Sequence, residues 1–377
     1  MRLLINASNL KATGATQVAV SFINECPRFS NNEYFVFLSQ TVANQIDLSS
    51  FPPGYKFYLF NDYPIISIKG IFNRSKMRNL ERNINPECVF SLFGPTIWTP
   101  RSPHLMGYAY PYYIYPESPF FKIINFRLKL KFLLYKLAHR YYLKRNGRYY
   151  VCETEDVKHR LPKYIGCNND QIYVVTNTYN QSFENFVPAK NKLLPDPSID
   201  EFRFITLSSF TKHKNLTILN EVIPLLAEKI KSFNVKFVIT IDEKLFKKHF
   251  NETSREHIYN IGKIDISKCP QIYYESDAMF LPTLMECFSA SYAESMKMEK
   301  PIITSNLSFA RAVCDNAALY VDPLNPNEIA ARISDLVHNR ELQEDLKVKG
   351  KLQLLKFDTS ESRAKKYLEI CKSIIKG

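Results

Sequence analysis

The chain has 377 residues, 45% hydrophobic and 23% charged, with a net charge of +13. That length predicts two domains of about 180 residues, and the composition excludes a disordered or fibrous chain. No stretch reaches the roughly 18 uninterrupted apolar residues of a spanning helix, and the eight cysteines form no Cys-x-x-Cys pair, which points to reduced, mostly buried thiols in a cytoplasmic protein.

In chain order, Met1-Arg2-Leu3-Leu4-Ile5-Asn6 is too short an apolar run for a signal peptide and reads as the first core strand. A loop with one glycine, residues 10–16, follows it, then a helix over 17–24 and a strand over 34–38. Cys88-Val89-Phe90-Ser91-Leu92 is a further strand ending at Gly94-Pro95. This βαβ rhythm predicts a parallel, doubly wound sheet whose ligands sit beyond the carboxyl ends of the strands. Gly14, Ala15 and Thr16 fall on such a loop, as do Gly94, Tyr108 and Tyr110 farther on. His104 reads as a surface or structural residue rather than a base.

The positive charge is concentrated between residues 101 and 150, where ten Lys or Arg accompany a single acid, Glu117, and fourteen Tyr or Phe are interleaved. On one continuous helix, Lys122, Lys129, Lys136, Arg140 and Lys144 fall within a stripe of roughly 80°. Phe121, Ile124, Leu128, Phe132, Tyr135 and Tyr142 gather opposite. Such a pattern over 120–148 suits an anionic surface, with the protein peripheral on the inner membrane face. It equally suits an apolar face packed into the domain beneath solvated cations. No basic-region, zinc-finger or aromatic RNA-platform motif accompanies the charge, so no nucleic-acid partner is expected.

After Ile172-Tyr173-Val174-Val175-Thr176, the polar, Pro-containing stretch 179–200 reads as an interdomain linker. A second βαβ domain opens at Phe202-Arg203-Phe204-Ile205-Thr206-Leu207, with a helix over 216–229 and a strand over 235–239. Asn325-Pro326-Asn327-Glu328 is a helix start, with Asn as cap and Pro in the first turn, and the last helix spans 359–375. The most informative stretch is 278–294. Ala278-Met279-Phe280-Leu281 reads as a buried parallel strand ended by Pro282, followed by a tight loop and a helix opening near Ser289. Free amides at a helix N-terminus attract phosphate. Glu286 lies on the loop and Glu294 on the second helical turn, so an anion site is flanked by two hydroxyl-accepting carboxylates, which suits a sugar nucleotide.

Glu286-Cys287-Phe288-Ser289 through Glu294 resembles the Glu-x-Phe-Gly-x-x-x-x-Glu signature of the retaining family 4 glycosyltransferases. Lys300-Pro301-Ile302-Ile303-Thr304-Ser305-Asn306 and Ala318-Leu319-Tyr320-Val321-Asp322-Pro323 continue the match. The resemblance implies an α/β protein of two doubly wound, Rossmann-like domains facing across a cleft (GT-B). An acceptor-binding domain would occupy 1–178, a linker 179–200 and a nucleotide-sugar-binding domain 201–356, with a helix at 357–377 crossing back to the first domain. It implies transfer from a UDP- or GDP-sugar to a glycan or polyprenyl-linked acceptor, in cell-surface polysaccharide synthesis.

Leu207-Ser208-Ser209-Phe210-Thr211-Lys212-His213-Lys214-Asn215-Leu216 resembles that family's Gly-Arg-Leu-x-x-x-Lys-Gly/Asn segment. Lys214 matches its phosphate-binding lysine. Ser209 stands at the usual arginine, losing a bidentate guanidinium, with Lys212 as a nearby second cation. Cys287 and Ser289 replace glycines. By the same likeness, Glu286 would contact donor-sugar hydroxyls, Phe288 and Ser289 would offer backbone N–H groups, and Glu294 would bind the ribose. Gly14, Ala15 and Thr16 would face the diphosphate, while Gly94, Tyr108 and Tyr110 would lie on the acceptor side. None of the fourteen Asp residues forms an Asp-x-Asp, which argues for a reaction with neither metal nor cofactor, in which Lys214 stabilises the leaving diphosphate. Two other readings stay open: a sugar-nucleotide epimerase or hydrolase on this fold, and a non-enzymatic scaffold binding lipid headgroups.

Overall fold

The computed structural model describes residues 1–11, 13–60 and 68–376; Ala12, of the sequence-read loop 10–16, and Gly377 lie outside the described residues. The chain forms two compact units. One comprises Met1–Ile114, Asn125–Asn177 and Asp358–Gly377, the other Tyr115–Ile124 and Thr178–Phe357.

In the first unit, β1 (Arg2–Ala7), β2 (Glu33–Ser39), β3 (Tyr55–Phe60), β4 (Cys88–Ser91), β5 (His104–Gly107), β6 (Tyr149–Cys152) and β7 (Ile172–Val174) form one sheet. Their order is β3-β2-β1-β4-β5-β6-β7, with parallel pairing throughout. Alternate residues of β1 serve opposite faces. Leu3, Ile5 and Ala7 pack with the helix Thr13–Glu25, and Leu4 packs on the other side with Phe35, Phe37 and Trp98. Both faces are therefore covered, which explains strands that are apolar without alternation.

The helix Thr13–Glu25 starts one turn earlier than its sequence suggested. Thr16 is buried and Ala15 packs against the core, extending the inward stripe of Val18, Ala19, Phe22 and Ile23 backwards. Gly14, Ala15 and Thr16 thus occupy a helical turn rather than a loop. The last helix, Ser360–Lys376, belongs to this unit, as expected. Its Tyr367 ring lies 5.0 Å from Phe90 and 5.5 Å from Phe22. At its entry, Thr176 Oγ1 donates to Asp358 Oδ2 at 2.9 Å and accepts from Asp358 N at 2.7 Å.

The basic segment is not one helix. Asn125 caps a new helix, Phe126–Asn146, its side chain accepting from Leu128 N at 3.0 Å, and Ile124 is buried in the second unit. The proposed apolar face does not form: Leu128, Phe132 and Tyr142 are half-buried, whereas Tyr135 is exposed. Lys136 turns inward over the Tyr164 ring, 5.7 Å from its centroid, and leaves the cationic stripe. The exposed side mixes both kinds of residue. Phe126, Leu130, Leu133, Leu134, Leu137 and Tyr141 stand among Arg127, Lys129, Lys131, Arg140, Lys144 and Arg145. No helix among the described residues is long and apolar enough to cross a membrane.

In the second unit, β8 (Glu201–Thr206), β9 (Asn234–Ile239), β10 (Ile258–Asn260), β11 (Ala278–Leu281), β12 (Ile302–Ser305) and β13 (Leu319–Val321) pair in parallel in the order β10-β9-β8-β11-β12-β13. Both sheets follow the Rossmann winding, in which the strand order reverses beside the first strand. Stretch 179–200 packs within this unit: Phe183 and Leu194 are buried, and the Ala189 N–H donates to Gln271 Oε1 at 2.9 Å. Asn325 caps the helix Pro326–His338 by accepting from Glu328 N, as its sequence predicts. The helix expected over 216–229 opens instead as a 3-10 turn, Leu216–Ile218, before Leu219–Lys229.

Candidate functional site

Ligands of an open parallel sheet bind where the strand order reverses, beyond the carboxyl ends of the strands. In the second unit that point lies between β8 and β11, and both charged candidates follow those strands. Lys214 closes the 3-10 turn Lys212–Lys214 after β8, and Glu286 stands in the loop after β11. Lys214 Nζ contacts Glu286 Oε1 directly, with side chains only 14% and 12% exposed. One backbone and one side-chain tie hold the loops together. The Leu284 N–H donates to the His213 carbonyl at 2.7 Å. Thr283 Oγ1 lies 3.1 Å from both that carbonyl and Glu286 Oε1, and its one hydrogen serves either acceptor in turn.

The residue after Lys214 explains how the lysine is aimed. Asn215 has φ +55°, in the left-handed region that Asn tolerates better than most residues, and its Nδ2 donates to the Pro323 carbonyl at 2.7 Å. Asn215→Ala strands that buried carbonyl and strains the turn. It should destabilise the protein by about 2 kcal/mol in urea melts, and Asn215→Gly should recover the backbone share.

Beyond Glu286, Cys287 is buried and does not adopt positive φ, and Ser289 has φ −109°. Neither position therefore requires the glycine it replaces. Ser289 precedes the helix Ala290–Lys297 without capping it through its side chain, and the first amides of a helix are a favourable place for an anion. Glu294 sits on the second turn, where the Tyr273 hydroxyl donates to its Oε2 at 3.3 Å. Burial pushes the Glu294 carboxyl up to about 7, against the Tyr273 bond and the Lys214 charge, which both lower it. Burial also holds His213 down at about 4, so its imidazole is neutral at pH 7 even with Glu286 nearby. A half-buried ammonium, a helix N-terminus and two carboxyl groups thus converge on one end of the sheet.

The remaining candidates are placed as follows. Ser209 and Lys212 are exposed on the turn after β8. Phe288 is half-buried with its ring 5.6 Å from that of Phe357. In the first unit, a Cβ on Gly94 would come within 2.3 Å of Met106 Sδ, so close packing demands that glycine. Tyr108 is buried, its hydroxyl donating to the Tyr110 carbonyl at 2.8 Å, which makes it a packing residue. Tyr110 keeps partial exposure and stacks on Tyr113 with centroids 5.7 Å apart. His104 is interior: its ring nitrogens lie 2.7 Å from the Asn146 carbonyl and 2.9 Å from Ser91 Oγ, and burial lowers its pKa to about 4. Gly14 is exposed at the start of its helix, with Ala15 half-buried and Thr16 buried. Three residues of the second-unit site carried no role in the sequence reading: His213, Thr283 and Tyr273. His213 lies between two lysines and Thr283 directly after the strand-ending proline, positions that mark both as facing the same loop.

Residues 194–353 match the family model described as "Glycosyl transferases group 1", which places the whole second-unit site inside that domain. The "Uncharacterized glycosyltransferase MJ1178" of Methanocaldococcus jannaschii is 21% identical over 319 residues, covering 79% of this chain and 82% of that protein. The O-antigen chain mannosyltransferase RfbU of Salmonella typhimurium is 22% identical over 218 residues, 56% of this chain and 54% of that protein. The crystal structure of Anabaena Alr3699/HepE in complex with UDP and glucose superimposes with a TM-score of 0.73 at 12% identity, covering 99% of this chain and 100% of that one. The likeness shows the fold: two Rossmann-like domains in one chain.

Proposed function

We propose that the protein is a retaining glycosyltransferase that moves a sugar from a nucleotide-diphosphate donor to a glycan or lipid-linked acceptor in cell-surface polysaccharide synthesis, without metal. The observation that carries this reading is the contact of Lys214 with Glu286 beside the uncapped helix start at Ser289. When the glycosidic bond of a sugar nucleotide breaks, negative charge grows on the diphosphate oxygens, and a fixed ammonium with helix amides stabilises it. Glu286 accepts from hydroxyls of the donor sugar, and Glu294, one helical turn in, accepts from the ribose. Attack from the front face lets the leaving phosphate oxygen take the acceptor's proton, so the configuration is retained and no side chain acts as base. Support comes from the group 1 match over 194–353, from UDP in the Anabaena structure and from the O-antigen role of RfbU.

A screen of UDP- and GDP-sugars against membrane lipid extract, read by mass spectrometry, tests the proposal. A lipid or glycan gaining one sugar supports it. Isomerised sugar or free nucleotide from donor alone would instead support the epimerase or hydrolase reading.

The helix Phe126–Asn146 supports a membrane-borne acceptor. Seven large apolar side chains, Tyr135 among them, exposed beside six cations suit an anionic lipid surface, with rings and leucines entering the headgroup layer and cations meeting phosphate. The protein should float with vesicles rich in anionic lipid at low salt and release as the salt rises. Leu133→Glu with Leu134→Glu should abolish flotation. Absence of wild-type flotation at low salt would remove the peripheral placement.

A further inference from the structure

Tyr115–Ile124 comes from the first half of the sequence but clusters with the second unit. Tyr115, Ser118, Phe120 and Ile124 are buried there. Ser118 Oγ donates to the Leu284 carbonyl at 2.6 Å, across 166 positions of sequence. Phe120 sets its ring nearly perpendicular to that of His213, centroids 6.5 Å apart. Both contacts land on the corner that holds the ion pair. The Leu284 N–H is bonded to the His213 carbonyl, so the backbone of Leu284 is tied at both its polar groups, one by His213 and one by Ser118. Lys214 is the next residue after His213, and Glu286 lies two beyond Leu284. The segment is itself braced. The Ser118 N–H donates to the Tyr115 carbonyl at 3.1 Å, and Ser118 Oγ accepts from the Phe120 N–H at 3.2 Å.

We propose that Ser118, backed by Phe120, is a positioning residue for sugar transfer: its hydroxyl fixes the Leu284 carbonyl and thereby the direction in which Glu286 meets Lys214. This deepens the transferase reading and rests on it, adding a residue outside the matched span 194–353. A buried carbonyl left without its donor rotates toward another partner, and a displacement of about 1 Å at a reacting centre costs up to about 100-fold in rate.

The test compares full-length wild type with Ser118→Ala and Ser118→Thr. Turnover is measured with the donor and acceptor that the screen returns, UDP-induced thermal shift reports binding, and hydrogen exchange reports the amides of 284–288. Ser118→Ala should lower kcat by about 10-fold or more, leave the UDP shift at its wild-type size and speed exchange at 284–288. Ser118→Thr, which keeps the hydroxyl, should restore both rate and protection. A merely structural role would lower melting temperature, UDP shift and kcat together, and that pattern overturns the proposal. So does Ser118→Ala with wild-type kcat. If wild type turns over no donor, the transferase reading fails on its own, and exchange then decides the hold of Ser118 on the turn: unchanged protection at 284–288 overturns it.

Discussion

Lys214→Ala should lower kcat/KM for sugar transfer by at least about 100-fold, the scale seen when one group aimed at a developing oxyanion is removed. The ammonium sits at the switch point of the second sheet with little exposure, so its field is weakly screened. Its loss acts twice: the departing diphosphate loses a cation, and the Glu286 carboxylate stays half-buried as an uncompensated negative charge facing it. A double variant separates these effects. If Lys214 served mainly to neutralise Glu286, adding Glu286→Gln to Lys214→Ala would recover most of the activity. If its partner in the transition state is phosphate, recovery is small, and Lys214→Arg does better because the charge returns in a different shape. Steady-state kinetics with varied donor decides the matter, and an unchanged rate in Lys214→Ala would remove the phosphate role.

Glu294→Ala should weaken nucleotide binding by about 10- to 100-fold, the loss expected for hydrogen bonds to a charged acceptor. The pH dependence is more telling. Burial raises this carboxyl from its ordinary 4.5 to about 7, so near neutrality the free protein holds a mixture of acid and carboxylate. Ribose hydroxyls donate to a carboxylate better than to a carboxylic acid, so binding favours the ionised form. Affinity for UDP should therefore rise from about pH 6 to about pH 8, with net proton release below about pH 7. Titration calorimetry in buffers of different ionisation enthalpy measures this, and Glu294→Gln should flatten it. Stability runs in the opposite sense. A carboxyl whose folded pKa is raised stabilises the fold fully below its unfolded pKa, and that contribution is lost as pH rises through about 7. The melting temperature of Glu294→Gln should then gain on wild type as pH increases over that window.

The parts of the fold written in local signals were legible beforehand. The apolar run ended by Pro282, the helix opening after Ser289 and the Asn325 cap all appear where residue type and spacing put them. Lys214 and Glu286 were each singled out by resemblance, and the parallel pairing of β8 with β11 supplies the physical reason that their loops meet. Side-chain direction was less legible. Tyr108 and Gly94 follow strands, as cleft-lining residues would, yet both are consumed by packing against Tyr110, Met106 and their neighbours. The helical stripe of lysines read across 122–144 is interrupted, because Asn125 caps a new helix and Ile124, just before it, is buried. Ser118 had no local signature at all. Its partner lies 166 positions away, and only tertiary structure brings such groups together.

The bonds between Thr176 and Asp358 have a practical consequence. The 180 residues between Asn177 and Asp358 leave and re-enter the first unit at neighbouring points, so they form an insertion whose stem is already stapled shut. A chimera cut at this stem would exchange the second unit of one relative for another while leaving the host sheet continuous. Such a graft would still sever Leu284 from its hydroxyl donor, which is encoded far upstream, so a faithful transplant must carry residues 115–124 as a second, separate piece.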